Sequence, residues 1–259
     1  MAAKQSTYRI VIPARYSSER LPGKILLELA GKPLIQHVWQ RAMESSAESV
    51  VIATDDERIV SAARRFGAEV VLTRPDHQSG SDRIAECANL LAWADDHLVV
   101  NLQGDEPLMP AACLDQVASL LDARPDCEVA SLYWPISEAT EVLNPNAVKV
   151  VTSINGHALY FSRSPIPYER SCADVSTAIS AGKCWKRHLG LYAYRLSALR
   201  RYTQLPPTPL ELAEKLEQLR MLEQGGSIAM AQASEFIPAG IDTQEDLDRV
   251  RKLIETKTS

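Results

Sequence analysis

The chain has no G-x-x-x-x-G-K-[ST] segment and no G-x-G-x-x-G after its first apolar run. The usual phosphate loop and dinucleotide fingerprint are therefore both excluded. It also lacks C-x-x-C: Cys87, Cys113, Cys127, Cys172 and Cys184 are odd in number and widely scattered. That spacing argues against a zinc site or a disulfide framework and suits free thiols in a reducing cytosol. No run approaches membrane-spanning length, and the stretch from Met1 to Thr7 has no apolar signal core. Those absences predict a soluble, cytoplasmic protein. Charge of one sign is missing too, since 28 Lys+Arg face 33 Asp+Glu, interspersed, for a net charge of −5. A general nucleic-acid or membrane-surface binder needs a broad basic face, so that class is disfavoured. There is no internal repeat, no low-complexity segment and no Ser-His-Asp arrangement that points to a covalent nucleophile.

What remains is an ordinary globular composition, 46% hydrophobic and 24% charged over 259 residues, enough for a sizeable core. Strand-like and helix-like patterns alternate from the start. Tyr8 to Ile12 reads as a buried strand, Leu34 to Met43 as a helix opened by Gly31-Lys32-Pro33, and Val50 to Ala53 as a strand. A helix from Ile59 to Phe66 stopping at Gly67, a strand at Val70–Leu72, a helix from Ile84 to Leu91 and a strand at Leu98–Leu102 follow. A helix runs from about Pro110 to Leu121. Such alternation predicts an α/β fold with a mostly parallel central sheet flanked by helices.

Beyond Asn144-Pro145-Asn146 the pattern changes. Val148–Ile154 and His157–Phe161 flank Asn155-Gly156, a two-residue hairpin signal. The stretch Ser162–Lys186 is irregular, Leu189–Tyr194 returns as a strand, and one helix is expected to carry Leu210, Ala213, Leu216, Leu219 and Leu222. Ile228–Ala231 is a last strand, and Thr243 to Asp246 starts the final helix in capping-box fashion. One domain, 1–259, with an antiparallel extension over about 145–195, is the expected organisation.

Three stretches carry chemistry. The loop leaving the first strand, Pro13 to Lys24, holds Arg15, Arg20, Lys24, hydroxyls and Gly23. Cations beside a flexible backbone, at the carboxyl end of a first strand, suit a polyphosphate; the alternative is a solvated polar loop. Arg15 can hold two oxygens of one phosphate. Gln103-Gly104-Asp105-Glu106-Pro107 can present Asp105 to a magnesium nucleotide, or be a plain turn with an Asx hydrogen bond. His77 to Arg83 opens a helix whose free N–H groups favour an anion or a base carbonyl, with Ser79 equally a plain N-cap. On residue type alone, Asp242 caps the last helix, His188 is a core or interface histidine, and Glu217 and Gln218 are solvated.

These segments resemble a known family. "IPARYSSERLPGK" followed by "GKPLIQHVWQRA" is similar to the opening of the sugar nucleotidyltransferases that make CMP-sugars, and among them the CMP-KDO synthetases. "HQSGSDR", "QGDEP", "YFSR", "RHLGLYAYR", "EKLEQLR" and "GIDTQEDL" follow in the order of that family, over nearly the whole chain. Ser81 stands where threonine is commoner, and Ile25 where proline is usual.

The resemblance implies a Rossmann-like nucleotide-diphospho-sugar transferase fold and a set of ligands and roles. CMP would pass from CTP to 3-deoxy-manno-octulosonate (KDO), with pyrophosphate released, for lipopolysaccharide biosynthesis in Gram-negative bacteria. It implies Mg2+ on Asp105 and Asp242, and catalysis by Asp105, Lys24 and Arg15. Nucleotide contacts fall on Pro13, Ala14, Arg15, Arg20, Lys24, Gln78, Ser79, Gly80, Arg83 and Gln103. Sugar-acid contacts fall on Gln103, Arg163, His188, Tyr192, Glu217 and Gln218. A homodimer is implied as well. The 8-amino analogue of KDO, another sugar acid, or a silent nucleotide-binding regulator are the alternatives.

Overall fold

The computed structural model describes residues 7–17 and 20–258, with side chains through Ile254. Residues 1–6 of the N-terminal segment read for a signal core, the Ser18-Glu19 pair of the first loop and Ser259 lie outside the described residues. The first strand, β1 (Tyr8–Ala14), is buried on both faces, as a central parallel strand must be. A 3-10 turn at Lys24–Leu26 and a two-residue ribbon, β2 (Glu28–Leu29) with β3 (Lys32–Pro33), lead into α1 (Leu34–Met43). Then come β4 (Ser49–Thr54), α2 (Glu57–Arg65), β5 (Glu69–Leu72), α3 (Gly80–Leu90), β6 (Leu98–Asn101) and α4 (Ala111–Asp122).

The second half is β7 (Val129–Ile136), α5 (Ala139–Leu143), β8 (Lys149–Thr152), β9 (Ala158–Ser162), α6 (Val175–Ser180) and β10 (Trp185–Arg195). It closes with α7 (Leu196–Tyr202), α8 (Pro209–Glu214), α9 (Gln218–Glu223), β11 (Ile228–Gln232) and α10 (Gln244–Thr258). The main sheet runs in the order β11-β7-β10-β6-β1-β4-β5. All neighbours on that path are parallel except at β10, which is antiparallel to both β6 and β7. The β8–β9 hairpin attaches to β10 where Arg187 faces Lys149. The expected architecture, a mostly parallel sheet between helices with an antiparallel hairpin, is present.

Alternate residues of β1 feed two cores. Ile10 and Ile12 pack with Val38 of α1 and with Leu114 and Val117 of α4. Val11 packs on the other face with Ile84 of α3 and Leu199 of α7. Each such aliphatic side chain contributes about 1.5–3 kcal/mol on burial, and together they fix the register that brings the ends of β1 and β6 side by side.

Several features differ from expectation: α5 and α7 are additional helices, and β10 begins at Trp185, before the expected Leu189. The strand β7 has no counterpart in the sequence reading; its apolar run is short and Pro135 lies inside it. Proline is tolerated because β11 pairs only as far as Tyr133, which leaves Pro135 flanked on one side only. The hairpin turn spans Ser153–Gly156, closed by the Gly156 N–H on the Ser153 carbonyl at 3.1 Å. Asn155-Gly156 is thus not the central pair, which is Ile154-Asn155: Gly156, at φ +77, is the last residue of the turn and leads back into β9. The irregular stretch after Ser162 contains α6, capped by the Asp174 carboxylate on the Thr177 N–H at 2.7 Å. Finally, the single helix expected over Leu210–Leu222 is two, broken at Lys215, whose φ of +53 is left-handed.

Candidate active site

The site lies at the carboxyl edge of β1 and β6, where open α/β sheets bind ligands. Two loops meet there because Gly104 has no side chain: a Cβ at that position would stand 3.0 Å from the Pro13 carbonyl oxygen. A third loop joins them through the Ile241 N–H, which donates to the Asp105 carbonyl at 2.9 Å. Thr243, not Asp242, caps the last helix, its hydroxyl accepting from the Asp246 N–H. Asp242 is thereby free to turn inward.

Lys24 is the centre of the cluster. Its Nζ donates to Asp105 Oδ2 at 2.5 Å, to the Ile241 carbonyl at 2.8 Å and to Asp242 Oδ1 at 2.9 Å. Arg20 holds the other oxygen of Asp242 at 2.8 Å. Burial pulls the Lys24 pKa down, but the two carboxylates outweigh it and the net shift is upward, so the ammonium is fully charged. Asp105 and Asp242, far apart in sequence, thus present hard oxygen donors to one point, a donor set that fits Mg2+.

Arg15 sits beside Arg83, and neither is fully partnered. Arg83 has no exposed surface and is held by Asp55 at 2.8 Å and by the Thr73 hydroxyl at 2.5 Å. Burial first, then the charge of Arg83, lowers the pKa of Arg15. Its Nη2 has no hydrogen-bond partner. Half-buried Arg15, with an unspent N–H beside a second cation, offers an anion a partner, whereas Arg83, expected to contact the nucleotide, has no surface to do so and stands behind Arg15 as its charged neighbour.

Next to them is a cavity of about 90 Å3 lined by Ser81, Asn101, Gln103, Tyr192, Tyr194, Glu217 and Gln218, among others. The break at Lys215 has a purpose here, since it lets Leu216 turn into the core while Glu217 and Gln218 reach this cavity. Burial raises the Glu217 pKa, and hydrogen bonds from Ser79 and Ser81 only partly oppose it. His188 lies 5.3 Å from Tyr192, and Tyr192 stacks on Tyr194 at 5.7 Å.

Burial drives the His188 pKa down to about 3, so the ring is neutral. The Ser131 hydroxyl lies within 3.0 Å of the Leu189 and Leu191 carbonyls and of His188 Nε2. That contact occupies Nε2 and leaves Nδ1 as the ring nitrogen open to a ligand. A larger opening, about 330 Å3, begins at Glu106 and runs past Glu141, Arg187 and the backbone near Ile237.

Lys24, Arg20, Asp105 and Asp242 are therefore brought together. Gln103, Tyr192, Glu217 and Gln218 line the neighbouring cavity, and Arg15 feels the charges of Arg83 and of Glu217. Pro13 and Ala14 end β1, and Gly80 packs against Pro13, where a Cβ would lie 3.5 Å from the ring. Ser79 is the helix cap foreseen as the alternative, exchanging bonds with Asp82 at 3.0 and 3.1 Å. Gln78 is exposed and bonds the Asp76 carbonyl at 3.0 Å. Arg163 stands apart. It donates to the carbonyls of Glu214, Pro145 and Lys215 at 2.6, 3.0 and 3.3 Å, which leaves two of its N–H groups for a ligand.

The sequence reading missed Tyr194, although strand alternation from Tyr192 signals it. It also missed Ser131 and Asn101, for which no motif speaks.

No helix among the described residues is long and apolar enough to cross a membrane. A cytidylyltransferase family model matches residues 9–230. A 3-deoxy-manno-octulosonate cytidylyltransferase of Pseudomonas syringae pv. syringae (strain B728a) is 52% identical over 251 residues, covering 96% of this chain and 99% of its own. One from Halorhodospira halophila (strain DSM 244 / SL1) is 51% identical over 251 residues, covering 96% and 97%. The solved structure of a CMP:2-keto-3-deoxy-manno-octonic acid synthetase complexed with CTP superposes with a TM-score of 0.89 at 42% identity, covering 97% of this chain and 100% of that one. That of 4-diphosphocytidyl-2C-methyl-D-erythritol synthase, at 13% identity and a TM-score of 0.62, shares the fold alone. With 52% identity to one such enzyme over 96% of its length and a cytidylyltransferase model matching residues 9–230, the chain belongs to the 3-deoxy-manno-octulosonate cytidylyltransferase family.

Proposed function

We propose that this protein transfers CMP from CTP to KDO, releasing pyrophosphate and giving CMP-KDO for lipopolysaccharide biosynthesis. The convergence of Lys24, Asp105 and Asp242 at the sheet edge carries this reading, because it sets phosphate-binding cations against a divalent-cation donor pair. The anomeric hydroxyl of the sugar acid attacks the α-phosphorus in line, and the bond from that phosphorus to the pyrophosphate oxygen breaks. Arg15, Arg20 and Lys24 neutralise charge on the triphosphate and on the departing pyrophosphate. Pro13, Ala14, Gln78, Ser79 and Gly80 contact the nucleotide, and Arg83 acts behind Arg15 through its charge.

Gln103, Tyr192, Glu217 and Gln218 take up sugar hydroxyls, His188 meets one at Nδ1, and Arg163 uses its two unspent N–H groups on the sugar's carboxylate. Asp105 and Asp242 hold Mg2+, which when bound supplies Lewis-acid activation of the hydroxyl and the α-phosphate. The protein works in the cytoplasm as a homodimer whose contacts lie on the 145–195 extension of one nucleotidyltransferase domain.

The test is pyrophosphate release with CTP, Mg2+ and KDO, run beside the 8-amino sugar acid and the other nucleoside triphosphates. KDO with CTP is expected to dominate. Asp105→Asn is expected to fold normally and to lose nearly all turnover; wild-type rates in that variant remove the proposed role of the pair.

A further inference from the structure

The space between Asp105 and Asp242 already holds a cation, and it belongs to the chain. All three donors of the Lys24 ammonium are spent, on Asp105 Oδ2, Asp242 Oδ1 and the Ile241 carbonyl. Its side chain is only 10% exposed. With Arg20 on Asp242, two cations face two carboxylates, and the cluster is neutral as it stands. Two carboxylates this close repel strongly in a partly dry environment, so an internal counter-ion stabilises the free protein.

We propose that Lys24 is a resident stand-in for the divalent cation: its ammonium keeps the Asp105–Asp242 pair closed until the triphosphate arrives and draws it away. This rests on the reading that the two aspartates hold the ion. A free divalent cation entering the pair must evict an ammonium whose three charge-assisted or carbonyl bonds then go unmade. An ion delivered with a triphosphate does not meet that cost, because phosphate oxygens accept the displaced ammonium. The backbone of Lys24 is set by the preceding Gly23 at φ +69 and by the 3-10 turn it begins. Only the flexible four-carbon stem has to move. Lys24 therefore does two things with one motion, vacating the metal position and meeting the phosphates.

Mn2+ provides the probe, read by electron paramagnetic resonance of the free ion and by the rise in melting temperature it causes. Without nucleotide, wild-type protein is expected to bind Mn2+ at least about tenfold more weakly than Lys24→Met, a difference of about 1.4 kcal/mol. Lys24→Gln, which retains a polar end, is expected to shift the same way. Adding Asp105→Asn to Lys24→Met should abolish the gain. Equal affinity of the wild type, Lys24→Met and Lys24→Gln for Mn2+ alone overturns the proposal.

A separate arm tests the reading beneath it. Mn2+ and CTP with no sugar acid should give a protein-bound signal that Asp105→Asn alters. If that signal is unchanged in Asp105→Asn, the aspartate pair is not the ion's site and the underlying reading fails. If it is altered while the wild type binds Mn2+ alone as tightly as Lys24→Met does, only the stand-in role of Lys24 fails.

Discussion

Glu106 follows Asp105 directly in the chain, yet the two carboxyls are in opposite electrostatic situations. Asp105 has the Lys24 ammonium at 2.5 Å. Glu106 has no cation on it, and its Oε2 is buried without a partner. Burial, then the charges of Asp105 and Asp242, push the Glu106 pKa up to about 8. One turn of five residues thus presents a carboxyl salt-bridged to lysine on one side and an acid that burial keeps protonated on the other.

The pH dependence of stability follows from that difference. In the unfolded chain Glu106 loses its proton near 4.5, in the folded protein only near 8. Between those values the folded state binds the extra proton, so stability falls as pH rises across the window. Glu106→Gln cannot titrate. Urea unfolding from pH 5 to pH 9 is expected to show the variant gaining on the wild type steadily, by up to a few kcal/mol in all; parallel curves refute it.

His188 shifts the other way and affects the acid limb. Its folded pKa is near 3 against 6.5 for an exposed imidazole. Below 6.5 the unfolded chain takes up a proton that the folded one refuses, so stability drops as pH falls toward 3. His188→Gln is expected to flatten that limb in the same unfolding measurements, and KDO turnover of the wild type should show no inflection traceable to this ring between pH 6 and 8.

Arg83 and Asp55 form an ion pair with the arginine wholly buried and the aspartate side chain only 16% exposed. Removing one partner leaves a charge without compensation. Asp55→Asn and Arg83→Met are each expected to lower stability by about 3–5 kcal/mol, read by calorimetric melting. The double variant should be less damaged than the sum of the two, the mark of a direct pair.

Gly104 tests the meeting of the loops. An alanine Cβ would press on the Pro13 carbonyl at 3.0 Å and on the Ile25 side chain at 3.2 Å. Gly104→Ala is expected to cost about 1–3 kcal/mol and to cut turnover more than it raises the KM for CTP, because it separates the loops bearing Asp105 and Lys24. Undiminished turnover at full folding would show that the approach of those loops is not needed.

Much of this molecule is local in origin. The strand of alternating Ile10, Val11 and Ile12, the helices with apolar stripes, the Thr243–Asp246 cap and the loop cations are set by periodicity, capping chemistry and charge over a few residues, and these are legible in the sequence. So were the blocks that mark the family, because each keeps its residues contiguous. Long-range pairing decided the rest. Only the sheet order placed β10 antiparallel between β6 and β7, and only pairing with β10 and β11 made a strand of β7 despite Pro135. The left-handed break at Lys215 was equally invisible, since the leucine spacing continues through it and burial of Leu216 overrides helix propensity. Asp242 shows the division most plainly. Its own neighbours allow a helix cap, and what turns it to Lys24 is a hydrogen bond between two loops remote in sequence, which no local pattern encodes.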